Sequence, residues 1–216
     1  PALVARVGLL IGFPKIMTTW APSLNMASAS HPLNKYMLDS TTCATPLGVA
    51  KTAMTKPETV NSVFSALSTP ETYLVYLKGD MPGCLGETSV IALLAGGILL
   101  IALKLIRWQV PAAFIGTVAI MTAILNHFNP SLTPGPLFHI LTGGLMLGAF
   151  FMATDMVTSP MTNRGALIFG AGCGLITTLI RVWGGYPEGV SFSILIMNAL
   201  TPLIDKYTAH KPFGMR

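Results

Sequence analysis

Thr88-Ser89-Val90-Ile91-Ala92-Leu93-Leu94-Ala95-Gly96-Gly97-Ile98-Leu99-Leu100-Ile101-Ala102-Leu103-Lys104-Leu105-Ile106 carries no charge before Lys104 and no polar side chain between Ser89 and Lys104. Its apolar residues would cover every side of a helix, so such a helix has no face for water. At about 1.5 Å per residue the stretch is near the length that spans ~30 Å of hydrocarbon. The solvent it expects is lipid.

Four more blocks of the same kind follow: Pro111 to Phe128, Leu137 to Thr154, Gly165 to Val182 and Val190 to Ile204. All five are about 15 to 19 residues long. The links between them are short and rich in Gly, Pro and Asn, which predicts neighbouring antiparallel helices. Gly96, Gly97, Gly143, Gly144, Gly148, Gly170, Gly172 and Gly174 fall inside the blocks, where glycine most often allows close helix packing. The fold class this predicts is an all-α polytopic membrane protein, an antiparallel transmembrane helix bundle with one long extramembrane segment.

That segment is 21–86, where the composition turns to Ser, Thr, Pro and Asn and no apolar run is long enough to span. Glu58 to Leu77 could form one or two short amphipathic helices. Before it, 1–20 reads as the end of a transmembrane helix, with Arg6 inside and Pro14 and Lys15 near its exit. The chain begins at Pro1 without Met and lacks a signal peptide's charged start, so a piece of a larger protein is expected. The five-helix region is 87–205, and 206–216 is a tail.

Composition agrees. The 216 residues are 52% hydrophobic and 10% charged, against about 25% charged in soluble domains, and the mean hydropathy is +0.65. The net charge of +5 comes from thirteen Lys and Arg placed singly between apolar blocks, so no nucleic-acid surface is formed. Placed at helix ends, such cations report topology. Lys104, Arg107, Arg164, Lys206, Lys211 and Arg216 fall on one side, against Lys15, Lys35, Lys78 and Arg181 on the other. The bias puts 21–86 outside the cytoplasm and the tail within it. Cys43, Cys84 and Cys173 show neither paired nor metal-ligand spacing, and no metal site is expected. Cys173 reads as a small buried residue, and the twelve Met as packing.

Polar residues stand out in four places. Asp39-Ser40-Thr41-Thr42-Cys43-Ala44-Thr45-Pro46-Leu47-Gly48 crowds hydroxyls ahead of a proline. Pro46 biases Thr45 to extended backbone, which suits a side chain presented outward, although a solvated turn has the same composition. Asp155 ends the third block, where an acid at membrane depth is a candidate for ion coupling and one at the interface is a cap. His127 and His139 flank a Pro-rich turn and read as interfacial, and Arg181 is placed to snorkel to the outer surface.

The spacing of Asp39, Thr42, Ala44 and Thr45 resembles the flavinylation motif of the Rnf D and Nqr B family, Asp-x-x-Ser/Thr-Gly-Ala-Thr, with Cys43 in place of the glycine. Further stretches resemble the family in order: Gly83-Cys84-Leu85-Gly86-Glu87-Thr88-Ser89 with Ile106-Arg107-Trp108, Phe151-Met152-Ala153-Thr154-Asp155 through Thr158-Ser159-Pro160, and Ile180-Arg181-Val182 with Gly185-Tyr186-Pro187-Glu188-Gly189. The tail Pro202-Leu203-Ile204-Asp205-Lys206-Tyr207-Thr208 is more similar to Rnf D than to Nqr B.

The resemblance implies the carboxy-terminal part of an Rnf D protein, a component of an ion-translocating ferredoxin:NAD oxidoreductase. It implies that a flavin transferase attaches FMN to Thr45 by a phosphoester, with Thr42 and Ala44 as motif context, and it gives Arg181 a second reading beside snorkelling, pairing with a flavin phosphate or ring oxygen. It further implies a bacterial inner-membrane location with Thr45 on the outer side, other Rnf subunits as partners, above all the FMN-carrying G subunit, and a noncovalent riboflavin in some relatives. The chain would not turn over alone. The rival within the family is Nqr B, of the sodium-translocating NADH:quinone oxidoreductase. The rival outside it is a flavin-free transporter.

Overall fold

The computed structural model describes residues 2–20, 43–55, 60–84 and 86–208. Among them the regular elements are helices, and the one extended pairing is an antiparallel bridge between Trp20 and Cys43. The chain opens with α1 (Ala2–Gly12), and Pro14 starts a separate short helix, α2 (Pro14–Thr18), because its ring suits a first helical turn and removes a backbone donor from any later one.

The polar segment contributes three short helices: α3 (Pro46–Met54), α4 (Val60–Leu67) and α5 (Pro70–Lys78). Two of them begin with the same device. Thr45 and Thr69 are extended caps whose hydroxyls accept the N–H of Gly48 and Thr72, each followed by Pro at the first helical position. Both starts are legible as Thr-Pro in the sequence. Leu47, Ala50, Phe64, Leu67 and Tyr76 close into a core of their own, joined by Phe138. Phe138 meets Tyr76 edge-on at 6.0 Å between ring centres.

The apolar blocks give α6 (Val90–Ala102), α7 (Gln109–Phe128), α8 (Pro136–Leu141), α9 (Leu145–Leu147), a π-helical turn (Gly148–Met152), α10 (Asn163–Trp183) and α11 (Val190–Thr208). α7 and α10 are long and apolar enough to cross a membrane. Ile120, Ile124 and Phe128 on α7, and Leu167 and Ile168 on α10, stay exposed, so the outward faces are apolar where a water-facing helix would be polar.

Glycine does set the packing of these two helices. A Cβ on Gly170 would lie 2.6 Å from the Val110 carbonyl oxygen, and one on Gly174 2.8 Å from that of Phe114. The backbones of α10 and α7 therefore meet through small residues four apart, which holds helices together where lipid provides no hydrophobic drive.

The uninterrupted third helix expected over Leu137 to Thr154 does not form. It stops at Leu141, Thr142 turns extended, Gly143 takes φ +70°, and the chain re-enters helix only at Leu145. Gly143 belongs to a break rather than to a packing face, since a left-handed backbone costs any residue with a Cβ about 1–2 kcal/mol. A broken helix leaves carbonyls at one end and N–H groups at the other that lipid cannot satisfy.

Candidate functional site

Thr45 marks the start of the site. Its Oγ1 accepts the Gly48 N–H at 3.1 Å while its backbone carbonyl accepts from Val49, so the side chain is fixed at the first turn of α3. The residue is half-buried rather than turned fully to solvent. Gly48 has a role the sequence did not disclose: a Cβ there would lie 3.2 Å from that same Oγ1, so only glycine leaves the hydroxyl uncrowded. Ala44 is exposed beside it, and Cys43 is buried, its N–H bound to the Trp20 carbonyl at 3.0 Å. Burial pushes the Cys43 thiol above its ordinary pKa, which leaves it an inert small residue. Thr42, like Asp39, lies outside the described residues.

Thr45 and Ala44 line a cavity of about 420 Å³. One wall is aromatic: Tyr186 and Phe192 lie 5.2 Å apart with their planes 31° from parallel. Trp20 and Met81 add apolar surface, while Arg6, Glu87 and Glu188 put charge in the lining. Arg6 Nη2 is 2.7 Å from Glu87 Oε1 and 3.7 Å from Glu188 Oε2, so a single cation from α1 ties two acids from distant parts of the chain.

Glu188, together with Arg181, also closes the helix break. Glu188 Oε1 accepts the Gly144 N–H at 2.6 Å, a carboxylate on a helix amino end. From the other side Arg181 donates to the carbonyls of His139 at 2.6 Å and Thr142 at 3.3 Å. Arg181 is 3% exposed. The expected snorkelling to the surface is thus overturned, because the freed carbonyls of α8 supply inside the protein the partners that water would supply outside. Lys51 of α3 donates to the Arg181 and Val182 carbonyls, both at 2.9 Å, and so caps the carboxyl end of α10. Partial burial holds its ammonium below the ordinary lysine range. The Thr45 helix, the break and the end of α10 form one joined unit.

The histidines divide. His127 is exposed, whereas His139 is 2% exposed with Nε2 3.0 Å from Thr133 Oγ1, so it is a core residue and not the interfacial one expected. Asp155 is far from all of this. It is exposed in the turn after Met152, where Thr158 Oγ1 donates to its Oδ2 at 3.2 Å and its carbonyl accepts from Ser159. This turn lies at the amino end of α10 and Thr45 at its carboxyl end. The 21 residues of α10 set the two about 30 Å apart.

A family model described as the NQR2, RnfD, RnfE family matches residues 1–214. The chain belongs to the NQR2, RnfD, RnfE family. Among curated members, it is 44% identical over 216 residues to the D component of the proton-translocating ferredoxin:NAD(+) oxidoreductase complex of Clostridium ljungdahlii, covering 100% of this chain and 61% of that one. It is 42% identical over 217 residues to the D component of the Na(+)-translocating ferredoxin:NAD(+) oxidoreductase complex of Acetobacterium woodii, covering 100% and 58%. To the D component of the ion-translocating oxidoreductase complex of Stutzerimonas stutzeri it is 41% identical over 224 residues, covering 99% and 62%. The chain thus spans about three-fifths of the length of these NQR2, RnfD, RnfE relatives. Two of them, nearly equal in identity, are named for different ions, so overall similarity does not select the ion.

Proposed function

We propose that this chain is part of the Rnf D component of an ion-translocating ferredoxin:NAD oxidoreductase, the Rnf complex, and that it carries FMN as a phosphoester on Thr45. The observation that carries the reading is the Thr45 hydroxyl, held at a helix amino end in the wall of a 420 Å³ cavity with an aromatic side. Small-molecule sites usually measure about 300–1,000 Å³. A phosphate on Thr45 suits this position, since the first-turn N–H groups and the dipole of α3 favour negative charge. The Tyr186 and Phe192 rings offer a planar group an apolar face, and Arg6 is held in the lining by Glu87 and Glu188.

When bound, the flavin supplies the electron transfer. The chain's own residues anchor it through Thr45, keep the oxygen uncrowded through Gly48, and couple its helix to the break through Leu47. A flavin transferase makes the bond, and Thr42 and Ala44 serve its recognition. Electrons pass to and from a neighbouring FMN-carrying G subunit, other Rnf subunits complete the reaction, and a noncovalent riboflavin is a further cofactor of this reading.

The same reading sets the chain in a bacterial inner membrane as an antiparallel bundle over 87–205, with 21–86 as the outer segment bearing Thr45 and 206–216 as the cytoplasmic tail. The exposed apolar faces of α6, α7 and α10 support it. It also gives Asp155 a part in ion coupling.

The family description includes NQR2 proteins, which keeps a quinone-directed Nqr B protein as the second reading. The names of the relatives above favour the first. Expression of the full-length protein with a flavin transferase tests both against a flavin-free transporter, because a fluorescent band on a denaturing gel requires covalent flavin. Quinone reduction by the intact complex then separates the two flavoproteins.

A further inference from the structure

The end of the molecule opposite Thr45 holds a second cavity of about 360 Å³, lined by Lys104, Arg107, Thr154, Ser159 and neighbouring apolar groups and, among the described residues, by no acidic side chain. The two carboxylates near this end are already engaged, Asp155 by the Thr158 hydroxyl and Asp205 by the Met161 N–H. Arg107 is anchored by donating to the Pro160 and Met161 carbonyls.

Lys104 has an unusual backbone. It sits just past α6 at φ +57°, the one left-handed residue other than glycine among those described. Its N–H bonds the Ile101 carbonyl at 2.9 Å and that of Leu105 bonds Leu100 at 3.0 Å. This is the Schellman ending, whose left-handed position is normally glycine because a Cβ is strained there. The sequence tolerates the strain and sets an ammonium in the lining. Strain retained in this way points to a use for the side chain.

We infer that this cavity binds the phosphate headgroup of an anionic phospholipid. Two cations and the Ser159 hydroxyl supply phosphate ligands. The surroundings fit the attached acyl chains: Leu103, Leu105 and Trp108 are exposed next to the cavity, at 61%, 49% and 58%. Aromatic and basic residues together at the end of an apolar helix mark the headgroup level, and basic pockets of this kind between helices hold anionic lipid. The inference rests on α6 lying in a bilayer and does not depend on the flavin.

The test uses the full-length protein in its assembled complex, in nanodiscs carrying a photoactivatable phosphatidylglycerol or its phosphatidylcholine counterpart. Mass spectrometry maps the crosslinks. Phosphatidylglycerol should label 103–108 and 156–161 in preference to phosphatidylcholine, and Lys104→Gly should weaken that labelling about fivefold, the effect of one basic residue at a membrane surface. Lys104→Gly relieves the backbone strain, so folding is maintained. Lys104→Asn also tolerates the left-handed position and should behave alike, while Lys104→Arg should retain labelling. Equal labelling by the two lipids, or full labelling of Lys104→Gly, would overturn the inference. Loss of labelling in millimolar inorganic phosphate would overturn it too, by assigning the cavity to a free anion. Covalent flavin should be the same in every variant.

Discussion

Leu47, two residues beyond Thr45, packs directly on Gly143: a Cβ on that glycine would stand 2.5 Å from Leu47 Cδ1 and 2.7 Å from Glu188 Oε1. The helix that presents the proposed flavin anchor thus rests on the break in the third apolar block. Anything that widens the break displaces the anchor.

Gly143→Ala should therefore lower covalent flavin severalfold even though position 143 is nearly a hundred residues from the motif. The substitution adds left-handed strain of about 1–2 kcal/mol to the clash. Gly172→Ala is the comparison, because its Cβ meets only the flexible end of Met197. It should keep near-normal flavin, and equal loss in both variants would mean that the effect is general destabilisation.

Arg181→Gln should destabilise the protein strongly. It leaves the His139 and Thr142 carbonyls without their partner, at about 1–3 kcal/mol for each orphaned group. Thermal unfolding in detergent should show a large fall in midpoint. If Arg181 reached the surface instead, the change would be small.

What the sequence disclosed follows from the range of the interactions involved. α7, α10 and α11 could be read from apolar runs, and the extended backbone of Thr45 from the proline after it, since those signals are local; that Thr45 caps a helix was not read. The break at Gly143 could not. An apolar run with paired glycines reads the same whether the glycines pack or turn, and here Leu47 and Glu188, distant in sequence, fill the space that a Cβ at 143 would need. Arg181 was misread for the same reason, its acceptors lying 39 and 42 residues away. Lys51 carried no signal, and Glu188 and Gly48 stood out only as members of the stretches quoted above, not for the contacts they make.

Asp155→Asn should reduce ion transport by the complex more than its electron transfer, if the carboxylate takes part in coupling. Proteoliposomes measured for both quantities decide this. The amide can still accept from Thr158, so the turn is preserved. Equal loss, or none, assigns Asp155 to the turn alone.

Orientation is open to chemical labelling. With native thiols removed, Lys78→Cys should react with an impermeant maleimide added to intact cells, and Lys206→Cys should react only after the membrane is opened. The reverse pattern would put Thr45 on the cytoplasmic side.

The central claim is the phosphoester at Thr45, and mass spectrometry of the peptide containing it is the direct measurement. Thr45→Ala removes the hydroxyl but also a cap bond, costing about 1 kcal/mol. Thr45→Asn is the cleaner variant, because asparagine caps a helix at least as well and cannot form the ester. The account predicts an FMN adduct on Thr45 in the unmutated protein expressed with a flavin transferase, retained in Thr45→Ser and absent from Thr45→Asn in a folded, inserted protein. An unmodified Thr45 peptide from the wild-type complex, or covalent FMN persisting in Thr45→Asn, would contradict it.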